Sequence, residues 1–297
     1  MAAASETPTS SSWLRDDCKE LYKTIKDEHK AIRIARRGRT LRFSINYSWS
    51  VFNTYPNAQI LEFGVHTGRD LCLIDRAVRQ KENEMSSKQH KDNDSTESTL
   101  TERHMIHGFD SFRGLPEDWD NGKEGYDAGK FDLNGVPPDL AEIRQYLSSK
   151  TKADSPQYTP TNQTTGLPQT NIQDNVKLHA GWFTDTISPF FDVHTQHIAY
   201  IHADADLYSS TITFLQEICK RQLLLKGTVI TFDEYANYPN WQEGEYKAWM
   251  ETVEEYDIGY KYICYHAPSE SKDLNKNKKH NEFGYQSVSL VITSVPW

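Results

Sequence analysis

The sequence predicts an α/β protein built on a doubly wound, mostly parallel sheet with helices on both faces. Three observations carry that prediction. Short apolar stretches alternate with helical ones from about residue 59 onward, the pattern of strand–helix–strand crossovers. The last two apolar stretches, "GYKYICYHA" and "YQSVSLVITS", have no helix between them, so an antiparallel strand is expected in the sheet. Three polar insertions each join consecutive elements of the same sheet, which makes them loops of one domain rather than linkers.

The elements follow in order. Residues 1–12 are polar and read as a disordered tail. Residues 13–56 are expected to form an N-terminal helical cap. Leu14, Leu21, Ile25, Ile32 and Ile34 supply the apolar points of a first helix to about Arg37. "LRFSINYSWSVFNTY" carries Phe43, Tyr47 and Phe52 in a second, which Pro56 stops. The principal domain is expected over 57–297. Its first strand is "QILEFGV" (59–65), followed by the helix "GRDLCLIDRAVRQ" (68–80). Residues 81–102 are almost without apolar side chains and read as a disordered insertion.

"MIHGFD" (105–110) is the next strand, followed by a Gly/Asp/Pro-rich loop, the helix "LAEIRQYLSS" and a second insertion at 150–172. Strands are expected at 175–183, 197–204 and 227–233. The helix "SSTITFLQEICKR" lies between the last two, and "WQEGEYKAWMETVEEY" comes after them. A third insertion, 268–282, separates the final strand pair.

Composition narrows the function. The 297 residues are 37% hydrophobic and 25% charged, enough chain for one core that removes roughly three quarters of the unfolded surface from water. The net charge of −9 and the lack of a basic stripe argue against nucleic acid, whose binding rests on clustered cations. A small or neutral partner fits better. Cys18, Cys72, Cys219 and Cys264 form no CxxC pair and read as buried, reduced thiols. The start "MAAASETPTSSS" has no apolar core of a signal peptide, and no run approaches 18 apolar residues. A cytoplasmic protein without a membrane partner is expected.

In sheets of this kind ligands bind beyond the carboxyl ends of the strands. The first strand ends in "LEFGVHTG", with Glu62, Gly64 and Gly68. Glycines let the backbone turn tightly and approach a ligand, and the next helix start offers free N–H groups. A turn that only packs strand against helix remains the plainer alternative, and the pattern departs from GxGxxG. Asp110 ends the second strand, where a carboxylate can accept two ribose hydroxyls or simply shape a turn. Trp182 and Phe183 follow the third and could flank an adenine ring or belong to the core.

"YIHADADLYSS" then places Asp204 and Asp206 two residues apart, and "GTVITFDEYANYP" ends a strand in Asp233 and Glu234. Carboxylates are costly to hold together without a positive charge between them. Two such strand ends on adjacent strands suit Mg²⁺ or another hard divalent cation. The alternative is that these acids cap helices or face solvent. Tyr208, Tyr235, Tyr238 and Trp241 offer an apolar rim or packing. "HTQH" (194–197) lacks further ligands, and His202 reads as a satisfied strand histidine.

"ILEFGVHTGRDL", "HGFDSFRGLPEDW", "GWFTDTISPFF", "YIHADADLYSST" and "GTVITFDEYANYPNWQEGEYKAW" together resemble the macrocin O-methyltransferase family. These are S-adenosylmethionine (SAM)-dependent enzymes that methylate sugar or phenolic hydroxyls of natural products. The resemblance runs in order from about residue 59 to 249. It implies a seven-stranded sheet, a SAM site and a Mg²⁺ site. By that match Glu62, Gly64 and Gly68 surround the methionine part of SAM, Asp110 holds the ribose, and Trp182 and Phe183 lie near adenine. Asp204, Asp233 and Glu234 match the metal ligands, and Asp206 the general base. Where the family has Asp-Asp at the fifth strand end, this chain has Asp-Glu.

The resulting expectation is O-methyl transfer to a hydroxylated small molecule, with a metal positioning the acceptor and Asp206 taking its proton. A catalytically silent nucleotide-binding protein and another metal enzyme, such as a hydrolase, are the rivals. The amphipathic helices of the first 55 residues allow either a lid over the pocket or packing in a homo-oligomer.

Overall fold

The structure, a computed structural model, describes residues 14–92, 103–149, 175–267 and 287–297. The expected tail at 1–12, residues 93–102 of the first insertion, and the insertions at 150–172 and 268–282 lie outside the described residues. Eight strands form one mixed sheet in the order β1-β7-β8-β6-β5-β2-β3-β4. They are β1 (Ile32–Ile34), β2 (Gln59–Phe63), β3 (Ile106–Asp110), β4 (Val176–Ala180), β5 (Ile198–Ala203), β6 (Val229–Phe232), β7 (Gly259–His266) and β8 (Val288–Ser294). β8 lies between β6 and β7 and runs antiparallel to both, while every other neighbouring pair is parallel. The helix-free strand pair therefore behaves as its sequence predicts.

The helices are α1 (Lys19–Lys23), α2 (Arg37–Thr54), α3 (Arg69–Asp92), α4 (Leu140–Ser149), α5 (Phe183–Val193), α6 (Tyr208–Lys220) and α7 (Glu245–Tyr256). They cover both faces of the sheet. One core joins Leu41, Ile45 and Phe52 of α2 and Ile74 and Val78 of α3 to Ile60, Tyr200 and Val229 of the strands. The other joins Phe191 of α5, Phe214 of α6 and Trp249 of α7 to Phe63, Ile201 and Phe232. Each such side chain contributes about 1.5–3 kcal/mol of transfer free energy, as an upper bound.

Four expectations are corrected. The sheet has eight strands rather than seven, because Ile32–Ile34 pairs with β7 instead of continuing a helix. A three-residue edge strand leaves no periodic signal of its own; its pairing is supplied by a neighbour more than 200 residues away. The N-terminal region is accordingly not a purely helical cap, and α2 forms part of a core layer. Residues 81–92 are not a disordered insertion but the second half of α3. Lys, Glu and Gln are good helix formers, and this stretch is tied down where Glu82 accepts the backbone N–H of His104 at 3.0 Å. Finally, the strand expected over 175–183 stops at Ala180, and Phe183 opens α5.

Candidate active site

A cavity of about 630 Å³ opens at the carboxyl ends of β2, β3, β5 and β6, where strand crossovers leave room for a ligand. Gly64, Asp110, Trp182, Phe183, Asp204, Asp206 and Glu234 line it together with Arg37 and the aromatic side chains of Trp119, Tyr126, Phe131 and Tyr238. Residues expected around a nucleoside and residues expected around a metal thus share one space.

The strand ends are stitched to one another. Gly64 N–H donates to Phe109 O, Asp204 N–H to Phe63 O, and Asp233 N–H to Ala203 O, at 2.8–2.9 Å. Gly64 has φ +90°, and a Cβ there would lie 1.8 Å from the carbonyl oxygen of Asp204. Only glycine permits this approach. Gly68 has a different role: its missing Cβ makes room for Leu140 and Pro138 at the start of α4, and it does not line the cavity. Glu62 also sits away from it, 1% exposed, accepting a hydrogen bond from His202 Nδ1 at 2.8 Å. Asp110 lines the cavity with both oxygens engaged: Oδ2 accepts the N–H groups of Val65 (2.8 Å) and His66 (2.7 Å), and Oδ1 that of Phe112 (2.6 Å). Oδ2 is thereby filled, and Oδ1 keeps one lone pair for a hydroxyl donor.

Asp204 and Asp233 do stand side by side, at the ends of the paired strands β5 and β6. The positive charge between them is Arg37. Its Nη2 lies 2.5 Å from Asp204 Oδ2 and 2.7 Å from Asp70 Oδ2, and its Nη1 lies 2.7 Å from Asp233 Oδ2. Ser287 Oγ donates to the other oxygen of Asp233 at 2.5 Å. Sequence reasoning missed Arg37, which is one of five arginines between 33 and 42.

It also missed Glu245. This fully buried carboxylate accepts the N–H of Ala205 through Oε1 (3.2 Å) and that of Glu234 through Oε2 (3.1 Å). It thereby braces the two acidic turns from the first turn of α7. Its signal was faint: an acid directly after Gly244 at a helix start.

The electrostatics follow from crowding in a dry place. Burial raises the Asp204 carboxyl to about 6, even though Arg37 pulls it down. Burial, then Asp204 and Asp233, push Asp206 well above the usual carboxylate range. Burial and the same neighbours do so for Glu234. Asp233 alone is held low: burial opposes it, but Arg37, His202 and Ser287 outweigh burial. Burial likewise lifts Glu62 to about 7; it would lower His202, but the hydrogen bond and charge of Glu62 carry His202 up to about 9. Asp206 itself has φ +61°, a left-handed turn that Asp tolerates better than most residues.

Asp204, Asp233 and Glu234 each offer one carboxylate oxygen, and the three lie within 4.8 Å of one another. In type and spacing these donors fit a hard divalent cation, although Arg37 now engages the first two.

Residues 166–254 match the family model described as macrocin-O-methyltransferase (TylF). The family resemblance is borne out. The enzyme class expected from the sequence, a SAM-dependent O-methyltransferase, is the class of that family. Among solved structures, the calicheamicin methyltransferase CalS11 is 20% identical over 96% of this chain and 87% of its own, with a TM-score of 0.47. An O-methyltransferase from Bacillus cereus in complex with S-adenosylhomocysteine (SAH) is 13% identical over 97% and 93%, with a TM-score of 0.43. The SAH-bound methyltransferase PaMTH1 of Podospora anserina is 11% identical over 98% and 100%, with a TM-score of 0.39. No curated protein sequence matches the chain.

The matched segment runs from before β4 into α7 and includes the acidic turns of Asp204, Asp206, Asp233 and Glu234 and the Glu245 brace. Among the described residues no helix is long and apolar enough to cross a membrane. The four cysteines are buried and free, as expected.

Proposed function

We propose that this methyltransferase moves the methyl group of SAM to a hydroxyl of a small-molecule acceptor, a sugar or a phenol, held in the cavity described above. A divalent cation, Mg²⁺ or another hard ion, would position that acceptor. The observation that carries the reading is the shared cavity: Gly64, Asp110, Trp182 and Phe183 open onto the same space as Asp204, Asp206 and Glu234. The buried free cysteines agree with a reducing, cytoplasmic setting.

In this reading Gly64 lets the backbone approach the methionine end of the cofactor, Asp110 accepts a ribose hydroxyl through Oδ1, and Trp182 and Phe183 flank the adenine. Glu62 and Gly68 act behind that surface, holding β5 and α4 in place. SAM, when bound, supplies an electrophilic methyl group on a sulfonium. A cation held by Asp204, Asp233 and Glu234 would supply polarisation of the acceptor hydroxyl. Asp206 would take the proton of that hydroxyl as the oxygen bonds to the methyl carbon and the methyl–sulfur bond breaks, with SAH leaving as the neutral thioether. Trp119, Tyr126 and Tyr238 form the apolar rim that orients the acceptor, and orientation of this kind contributes up to about 7–11 kcal/mol.

The test is thermal unfolding with SAH, with Mg²⁺ and with both, since a ligand of the folded state raises stability by mass action. A shift with SAH, enlarged by Mg²⁺, is expected, followed by SAH release from SAM when hydroxylated acceptors are supplied. No shift at saturating SAH would reject the proposal.

A further inference from the structure

Arg37 stands where the proposed cation should act. Its side chain is 30% exposed, on the cavity side, and its Nη atoms reach Asp70, Asp204 and Asp233. Two of these acids belong to the donor set Asp204, Asp233 and Glu234. A second donor set, Asp70, His202 and Asp204, falls under the same guanidinium and shares Asp204 with the first.

The arrangement is incompletely satisfied with Arg37 in place. Arg37 Nε, Asp70 Oδ1, Glu234 Oε2 and His202 Nε2 are all buried without a hydrogen-bond partner. His202 is wholly buried, and Glu62 holds only its Nδ1, a carboxylate–histidine arrangement of the kind that orients metal-binding imidazoles. Buried polar atoms without partners are rare and costly, and one on the guanidinium with three on the acids and imidazole beside it describe a site that serves a second cationic state.

We infer that Arg37 is a built-in competitor for the divalent cation. The guanidinium and the ion are alternative occupants of the space between Asp204 and Asp233, so Arg37 sets the metal affinity of the site. This rests on the metal reading above. A divalent ion ligated by Asp204 and Asp233 would bind the same two carboxylates that Arg37 now holds through Oδ2, and at ~4 Å in a partly buried site it would repel the guanidinium strongly. Without the ion, Arg37 keeps the acids apart and ordered; with it, the side chain withdraws from Asp204 and Asp233.

The experiment is Mn²⁺ binding to the chelator-stripped full chain, read by the electron paramagnetic resonance of free Mn²⁺, alongside the SAH melting shift of the same samples. Arg37→Met is expected to bind Mn²⁺ at least about tenfold more tightly than wild type. Arg37→Lys keeps the charge that folding uses but loses the fork that spans three carboxylates. It should fall between the two, and it decides the matter if Arg37→Met does not fold. Arg39→Gln, one charge fewer on the same helix, should stay within about twofold of wild type.

Equal affinity in wild type and both Arg37 variants overturns the competition and leaves the metal reading standing. So does a change in Arg39→Gln as large as that in Arg37→Met. No Mn²⁺ binding in any variant overturns both, while a retained SAH shift would still support the cofactor site.

Discussion

Two buried acidic sites in this molecule use the same chemistry in opposite proportion. On α3, Asp75 is 2% exposed and lies between two arginines, with Arg79 Nε at 2.8 Å and Arg144 Nε at 3.1 Å. At the ends of β5 and β6, one arginine serves Asp70, Asp204 and Asp233, and Asp206, Glu234 and Glu245 crowd beside them. The first site is compensated and ties α3 to α4. The second carries more acidic groups than its one arginine can balance. Surplus like charge in a cavity marks a place built to meet a proton or a cation.

That contrast can be broken most forcefully at Asp206, the acid expected to act on the acceptor. Asp206→Asn should lower turnover by roughly 10²–10⁴-fold, with the SAH melting shift unchanged. A steady-state assay on an acceptor that wild type methylates checks this, and unaltered turnover would remove Asp206 from the reaction.

Stability comes next. Asp75→Ala should cost about 2 kcal/mol, less than the ~3–5 kcal/mol of a fully buried broken pair, because Arg79 and Arg144 keep 29% and 26% of their side-chain surface in water. Turnover per folded molecule should not change. Glu234→Gln in the surplus site should do the reverse in metal-free protein, raising stability by about 1 kcal/mol while reducing activity. Urea unfolding of both variants decides. If both lose stability alike, the two sites are not different in kind.

Much of this contrast could be read from the sequence, and the reasons are positional. Strand ends are marked by apolar runs that stop, so Asp110, Asp204 and Asp233 could be placed at the rim of the sheet, and the helix between 204 and 227 implied that β5 and β6 are neighbours. Glu62 shows the limit of that reasoning. It lies one residue before the strand's end, and its carboxyl faces His202 rather than the cavity. Arg37 is the larger omission. Its partner Asp204 is 167 residues away, and nothing local distinguishes it from Arg36 or Arg39. The position of a counter-charge is a tertiary fact. β1 escaped for a related reason, since all of its pairing comes from β7.

The smallest effect is the one with the most exacting sign. His107 is 4% exposed between β3 and α5, 3.0 Å from His179 Nε2 through its Nδ1. Burial, then the charges that His179 and His194 would carry, lower its pKa to about 3. The unfolded chain therefore binds more protons below about 6.5, and stability present above that pH is lost as pH falls toward 3. Glu234 has the opposite sign. Its raised pKa makes the folded state hold the proton longer, so wild-type stability falls as pH rises above the ordinary carboxylate range. Two difference curves separate these effects from every other titration. The stability of wild type minus that of His107→Leu should decline on acidification below pH 6.5, by at most about 1.4 kcal/mol per pH unit. The advantage of Glu234→Gln over metal-free wild type should grow as pH is raised from about 4.5. Mg²⁺ should flatten the second curve and leave the first untouched, because only the second site has charge left for a cation to balance. A Mg²⁺ effect on the His107 curve, or none on the Glu234 curve, would show that the surplus charge at the strand ends is not a cation's place.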